Sequence, residues 1–279
     1  MAPGYGTAMN TPFTYDFGYP WPITWAAAIP MVVFAGLAAL AWSRGWRRWI
    51  AGVSAALAVW ALGALMVIHA MLRLNLPIEL ATDRFLASGG GEVVDVGAGS
   101  GRAGIGLLLA RPGATLTAID IYDGFWGISD NTPERFMANA RIAGVADRAR
   151  AQVGDARAMP LADAAYDGVI SHYAIDHLRR DEIPVALSEV SRILKPGGEF
   201  LLAVVNVDWW VLLASPPIAH HPRADPERWR QLLAGAGFEL LEEGTTPGSR
   251  HFLARKPGAA AGSARRTPPV ARKPGVVSR

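Results

Sequence analysis

Residues 93–104 read VVDVGAGSGRAG. An apolar run holding one carboxylate enters a cluster of glycines, and helix-forming residues follow. Two patterns overlap here. Gly97, Gly99 and Gly101 give GxGxG, while Gly99, Gly101 and Gly104 give the GxGxxG of dinucleotide sites. A dinucleotide loop begins at the end of the first strand. With Gly99 as its first glycine, the strand would run on through Gly97 and Ala98, a poor ending for a strand. Starting at Gly97 ends the strand cleanly at Val96. In that register residue 102 is arginine where the dinucleotide pattern wants its third glycine. Asp95 then lies inside the strand, awkward beside a pyrophosphate and favourable beside an ammonium or sulfonium. GxGxG is the working pattern.

Working outward, strands and helices alternate. Strands are read at 92–96, 115–120, 150–153, 167–171, 199–206, 238–243 and 251–255, with helices near 102–110, 133–143, 182–194 and 226–236. Pro133 and Pro226 occupy first-turn positions, each after a capping residue, Thr132 and Asp225. Such alternation predicts an α/β fold, a doubly wound, mostly parallel seven-stranded sheet. The last two strands are joined by only seven residues, too few for a crossover helix, so the last strand is antiparallel.

The chain has 279 residues, 51% hydrophobic and 18% charged, a composition that excludes general disorder. It has no cysteine, which rules out disulfides, Cys-ligated zinc, iron–sulfur clusters and a thiol nucleophile. Residues 1–22 read as an irregular lead-in. Residues 23–42 and 49–72 contain no Asp, Glu, Lys or Arg, and each reaches the ~20 apolar residues that cross a hydrocarbon core. Tryptophans 21, 25, 42, 46 and 49 lie near their ends, where amphipathic rings favour the interface. These segments predict a two-helix membrane hairpin, a multi-pass localisation with the bilayer as a partner. No Lys or Arg precedes the first segment, unlike a signal peptide. A linker follows at 73–91, with a short amphipathic helix expected at 78–87. The α/β domain covers 92–255, and the basic tail at 256–279 reads as disordered.

With the order of elements set, VVDVGAGSG resembles the first motif of class I S-adenosylmethionine-dependent methyltransferases of small-molecule type. Four further pieces follow in that family's order: Asp120 ending the second strand, Gly154-Asp155-Ala156 after the third, residues 166–171 (YDGVIS) as the fourth, and residues 194–198 (LKPGG) before the fifth. The resemblance covers roughly 92–255. It implies S-adenosyl-L-methionine as cofactor and a Rossmann-like methyltransferase fold. Gly97, Ala98, Gly99 and Gly101 would let the cofactor approach the backbone. Asp120, with Ile121 beside it, would hold the ribose hydroxyls, and Asp123 is its nearby competitor. By resemblance, Asp155 would take the adenine amino group and the Ala156 N–H a ring nitrogen. Asp95 and the backbone near Ser171 and His172 would hold the methionine ammonium.

Candidates for the acceptor side lie after the fourth strand, where open α/β sheets bind ligands. His172, Tyr173 and His177 are the candidate catalytic residues, although His177 also suits a local turn with Asp176. Phe125 and Trp126, with Trp209 and Trp210, are read as an aromatic lid over a greasy acceptor. His220 and His221 are adjacent, diverge, and have no third ligand, so no metal is expected. His69 is read as an interfacial residue. The basic tail suits anionic headgroups, and no nucleic-acid partner is expected. The expected function is membrane-anchored methyl transfer to a small, lipid-soluble acceptor. A nicotinamide-dependent oxidoreductase and a non-catalytic cofactor-binding module are the alternatives. Arg44, Arg47 and Arg48 in the connector favour that loop inside. The cytosolic origin of the cofactor outweighs this and places the catalytic domain in the cytoplasm.

Overall fold

The computed structural model describes residues 15–123, 131–214 and 224–258. Seven strands form one sheet: β1 (Gly90–Val96), β2 (Gly113–Asp120), β3 (Ala149–Val153), β4 (Tyr166–His172), β5 (Leu194–Val205), β6 (Glu239–Thr246) and β7 (Ser249–Arg255), in the order β3-β2-β1-β4-β5-β7-β6. The pairs β3–β2, β2–β1, β1–β4 and β4–β5 are parallel, and β7 runs antiparallel to both β5 and β6. The expected single antiparallel strand is therefore present. Chain order reverses on leaving β1, so the carboxyl ends of β1 and β4 flank a crevice of the kind that binds ligands in open α/β sheets.

Helices cover both faces. On one, α4 (Arg102–Ala110) and α5 (Pro133–Ile142) bury Ile105, Leu107, Leu108 and Phe136 against β1 and β2. On the other, α6 (Ile183–Ile193) and α8 (Pro226–Gly235) bury Leu187, Val190, Trp229 and Leu233 against β4 and β5. Both predicted caps form. The Thr132 hydroxyl accepts from the Arg135 N–H at 3.2 Å, and the Asp225 carboxylate accepts from the Glu227 N–H at 3.0 Å.

The apolar N-terminal segments are helical but not uniform. The first is split into α1 (Trp21–Trp25) and α2 (Ala28–Ser43); the second is α3 (Arg48–Met66), ending in a π-helical stretch, Val67–Leu72. His69 joins the two segments. Its Nε2 lies 3.0 Å from the Thr24 carbonyl oxygen, and its ring sits 4.4 Å from that of Trp25. A short helix, α7 (Trp209–Ala214), packs on α3 and the π-helical stretch. Trp209 and Trp210, read as part of a lid, lie on this helix and do not line the cavity described below. Phe125, Trp126, His220, His221 and the tail beyond 258 lie outside the described residues.

Two further expectations change. Residues 15–20 have no regular structure, yet Tyr15 and Phe17 are buried in the same cluster as Phe136 and Phe85. The Asp16 N–H donates to Asn139 Oδ1, whose amide donates back to the Asp16 carbonyl. The linker forms no helix at 78–87, only turns. Its carbonyls are claimed from outside: Arg111 donates to those of Asp83 and Phe85. The Leu86 N–H, at a left-handed φ of 46°, donates to Glu199. Tertiary donors thus replace the helix's own ladder. Gly106 permits the close approach, because a Cβ there would fall 1.8 Å from the Ile78 carbonyl oxygen.

Candidate cofactor and acceptor site

The glycine loop turns as its pattern requires. Gly97, Gly99 and Gly101 have φ of 75°, 53° and 94°, conformations that L side chains rarely adopt. At Gly97 space is also missing, since a Cβ would stand 2.0 Å from the Ala174 Cβ. The loop is pinned from the neighbouring strand. Asp120, the last residue of β2, accepts from the Gly99 N–H and from the Tyr122 N–H, each at 2.8 Å. No side chain caps the start of α4 by a hydrogen bond, and a helix start of this kind suits a polar ligand.

A cavity of about 500 Å³ opens at this edge. Gly97, Ala98, Gly99, Asp120, Ile121, Asp155 and Ala156 line one end of it; His172, Tyr173 and His177 line the other. Asp95, Gly101 and Ser171 do not reach its wall. Asp95 is 1% exposed and Ser171 fully buried, and neither carboxylate oxygen of Asp95 nor the Ser171 hydroxyl has a hydrogen-bond partner among the described residues. The Gly104 backbone N–H favours the charged Asp95 carboxylate, against the larger opposing effect of burial. Asp95 and Ser171 lie just behind the glycine loop, where an acidic group suits the ammonium end of S-adenosylmethionine, and Asp120 at the strand end suits its ribose. The residues present fit this group. Asp155 is less free than expected: Arg157 grips it through its backbone N–H at 2.8 Å and its guanidinium at 2.6 Å, and also reaches Glu182. That grip holds the Asp155 carboxyl below its usual range.

On the acceptor side, burial first and the charge of Arg102 second push His172 down to about 3. The ring is neutral and is a weak base. Its centroid lies 3.9 Å from that of Tyr173, which has a left-handed φ of 56° and donates its hydroxyl to the Gly248 carbonyl at 2.8 Å. Burial raises the Tyr173 phenol above its ordinary range. Phe17, Tyr19, Ile78, Arg102 and Asn131 also line it. None was singled out from the sequence as a site residue. For Arg102 a signal existed, an arginine where a dinucleotide loop would have its third glycine; the others give no periodic cue.

Burial, with the Asp120 charge adding to it, pushes Asp95 up to about 7. The folded ligand-free protein therefore holds a proton that the unfolded chain releases near 4. This contribution to stability is full at low pH and is lost as pH rises from about 4 through 7. Asp95→Asn, which mimics the protonated acid, is expected to out-melt wild type by a margin that widens from pH 5 to pH 8. An equal difference at both values counts against the buried acid.

A second cavity, of about 620 Å³, lies at the opposite edge of the sheet among Arg84, Lys195, Glu199 and Arg255. Its cations are matched by carboxylates: Lys195 by Asp167, Arg255 by Glu199 and Arg84 by Glu242. It is larger, but it lacks the glycine loop and the open polar atoms, so the chemistry is assigned to the first cavity.

Residues 93–198 match the methyltransferase domain family. The sheet order and the glycine loop agree with this match, which makes residues 93–198 an S-adenosylmethionine-dependent methyltransferase domain. The chain is 34% identical over 138 residues to the malonyl-(acyl-carrier protein) O-methyltransferase of Methylococcus capsulatus, covering 47% of this chain and 46% of the relative. It is 31% identical over 113 residues to a ubiquinone/menaquinone biosynthesis C-methyltransferase of Paracoccus denitrificans, covering 40% and 42%. A SAM-dependent methyltransferase from Methanosarcina mazei shares the fold with a TM-score of 0.51 at 22% identity, covering 65% of this chain and 100% of that one. The chain spans about half the length of the curated relatives it matches.

Proposed function

We propose that this protein is a membrane-anchored methyltransferase that moves a methyl group from S-adenosylmethionine to a small acceptor dissolved in the bilayer, with its catalytic domain in the cytoplasm. The carrying observation is that both flanks of the apolar hairpin border the cavity: Phe17 and Tyr19 precede it, and Ile78 follows it. The two apolar segments, Trp21–Ser43 and Arg48–Leu72, are 6% and 28% buried over their most apolar stretches. That leaves side chains such as Val32, Val33, Val53 and Val59 more than half exposed. A helix apolar all round needs either a protein core or lipid around it, and here the protein supplies little. The relative acting in ubiquinone/menaquinone biosynthesis supports an acceptor of this solubility.

S-adenosylmethionine supplies a methyl group on a sulfonium. In this reading Asp120 holds its ribose, Asp155 and Ala156 its adenine, and Asp95 with Ser171 its ammonium, while His172, Tyr173 and His177 face the acceptor. The protein's work is to align the acceptor and exclude water.

The test incubates full-length protein in lipid nanodiscs with methyl-labelled cofactor and a membrane extract. Label is expected in the organic phase; label confined to water-soluble product overturns the lipid assignment. For orientation, Glu239→Cys places a thiol on an exposed strand of a chain with no other cysteine. An impermeant maleimide is expected to react only after spheroplast lysis; reaction in intact spheroplasts reverses the orientation.

A further inference from the structure

The cavity carries charge of both signs. Its cofactor end has Asp120, Asp123 and Asp155, the last neutralised by Arg157. The acceptor end carries Arg102, with His172, Tyr173, His177 and Tyr19. Arg102 opens α4 and is held from outside the domain's sheet. Its Nε donates to the Leu76 carbonyl at 2.9 Å, and its Nη2 donates to the carbonyls of Arg73, at 2.9 Å, and Leu72. The Tyr19 ring lies 5.8 Å from the guanidinium carbon. A guanidinium has five donors. Three are fixed by backbone carbonyls, and the Nη1 pair has no hydrogen-bond partner among the described residues. Nor does Arg102 form an ion pair with a carboxylate among them. Its charge nevertheless acts on the cavity side, since it lowers the proton affinity of both His172 and Tyr173. Tyr19 and Asp176 act on Tyr173 in the opposite sense, and Asp176 accepts from the Val205 N–H at 2.8 Å.

We propose that Arg102 recognises the acceptor, and that the acceptor presents an anionic oxygen (a carboxylate, phenolate or enolate) to its free Nη1 donors. The proposal rests on the methyltransferase reading and names its acceptor class. A guanidinium fixed by three carbonyls meets an anion with little loss of freedom, and its fork suits oxygen pairs. An anionic acceptor also explains a site whose histidine is a poor base. The acceptor oxygen gives its electron pair to the methyl carbon, the carbon–sulfur pair stays on sulfur, and anion and sulfonium yield two neutral products. No proton has to be moved, so no general base is needed.

The experiment uses full-length protein in micelles, saturated with S-adenosylhomocysteine, and calorimetry with three probes: benzoate, 4-nitrophenolate and uncharged benzamide. Charge-assisted bonds of about 1.5–3 kcal/mol correspond to about a ten- to hundredfold preference. Wild type is expected to favour at least one anionic probe over benzamide by that margin, and the two anions separate carboxylate from phenolate. Arg102→Gln is expected to erase the preference while S-adenosylhomocysteine affinity changes less than threefold. If that variant loses the cofactor as well, Arg102→Lys decides. It keeps the charge at the cost of anchoring bonds and retains the anion preference if Arg102 reads the acceptor. Equal binding of all probes by wild type, or an anion preference that survives Arg102→Gln, overturns the proposal. Absence of S-adenosylhomocysteine binding in wild type overturns the methyltransferase reading beneath it, so the two failures are distinguishable.

Discussion

Gly97→Ala is expected to remove measurable binding of S-adenosylhomocysteine, at least a hundredfold loss by calorimetry on the full-length protein. Two costs coincide at this position. A left-handed φ of 75° costs a Cβ-bearing residue about 1–2 kcal/mol. The new methyl would also stand 2.0 Å from the Ala174 Cβ, an overlap of the kind that costs about 1–3 kcal/mol when a packed site is forced to move. Relief has two routes, and both damage the site. Either the glycine loop retreats from the cofactor, or the segment after β4 shifts and carries Tyr173 and His172 with it. Gly144→Ala is the control. Gly144 has a φ of 70° with nothing within 4 Å of the added methyl, so it costs stability and leaves binding intact. A Gly97→Ala protein that binds within threefold of wild type would show that the loop does not contact the cofactor.

Asp120→Asn is expected to weaken the same binding about ten- to hundredfold. The carboxylate accepts two backbone N–H bonds, from Gly99 and Tyr122. The amide has one oxygen to offer and turns its NH₂ towards the other donor. Hydrogen bonds to a charged group are worth about 1.5–3 kcal/mol, so losing one loosens the loop by that amount before any contact to ribose is counted. A second readout separates this from general damage. Asp120 helps hold the Asp95 proton, so removing its charge should shift the pH dependence of melting to lower pH. Unchanged affinity with an unchanged pH profile would leave Asp120 with no part in the site.

The parts of this molecule legible in the sequence are those that local geometry encodes. The register that ended β1 at Val96 followed from what glycines do to a strand, and the caps at Thr132 and Asp225 from what a helix start needs. The antiparallel β7 followed from a connection too short to cross over. What could not be read has its cause at a distance. Phe85 is wholly buried in a run of turns, and no period of 2 or 3.6 marks it. The linker's apparent amphipathicity predicts a helix, but Arg111 and Glu199 claim its backbone. Asp155 reads as a free acceptor until Arg157, two residues on, is seen to fold back onto it. Arg102 stood in view as an exception to a pattern, yet its partners lie 26 to 30 residues upstream, where no motif reaches.

The burial of Tyr15 and Phe17 beside Phe85 has a topological consequence. The polypeptide departs from the domain after residue 20 and rejoins it by residue 76, touching the same body at both points. The apolar excursion is therefore an insertion into the fold rather than an appendage in front of it. Any sheet of lipid it pierces must be pierced an even number of times, and a lone crossing would tear Tyr15 away from Phe136. Among the described residues, both roots of the excursion are fastened to one and the same body.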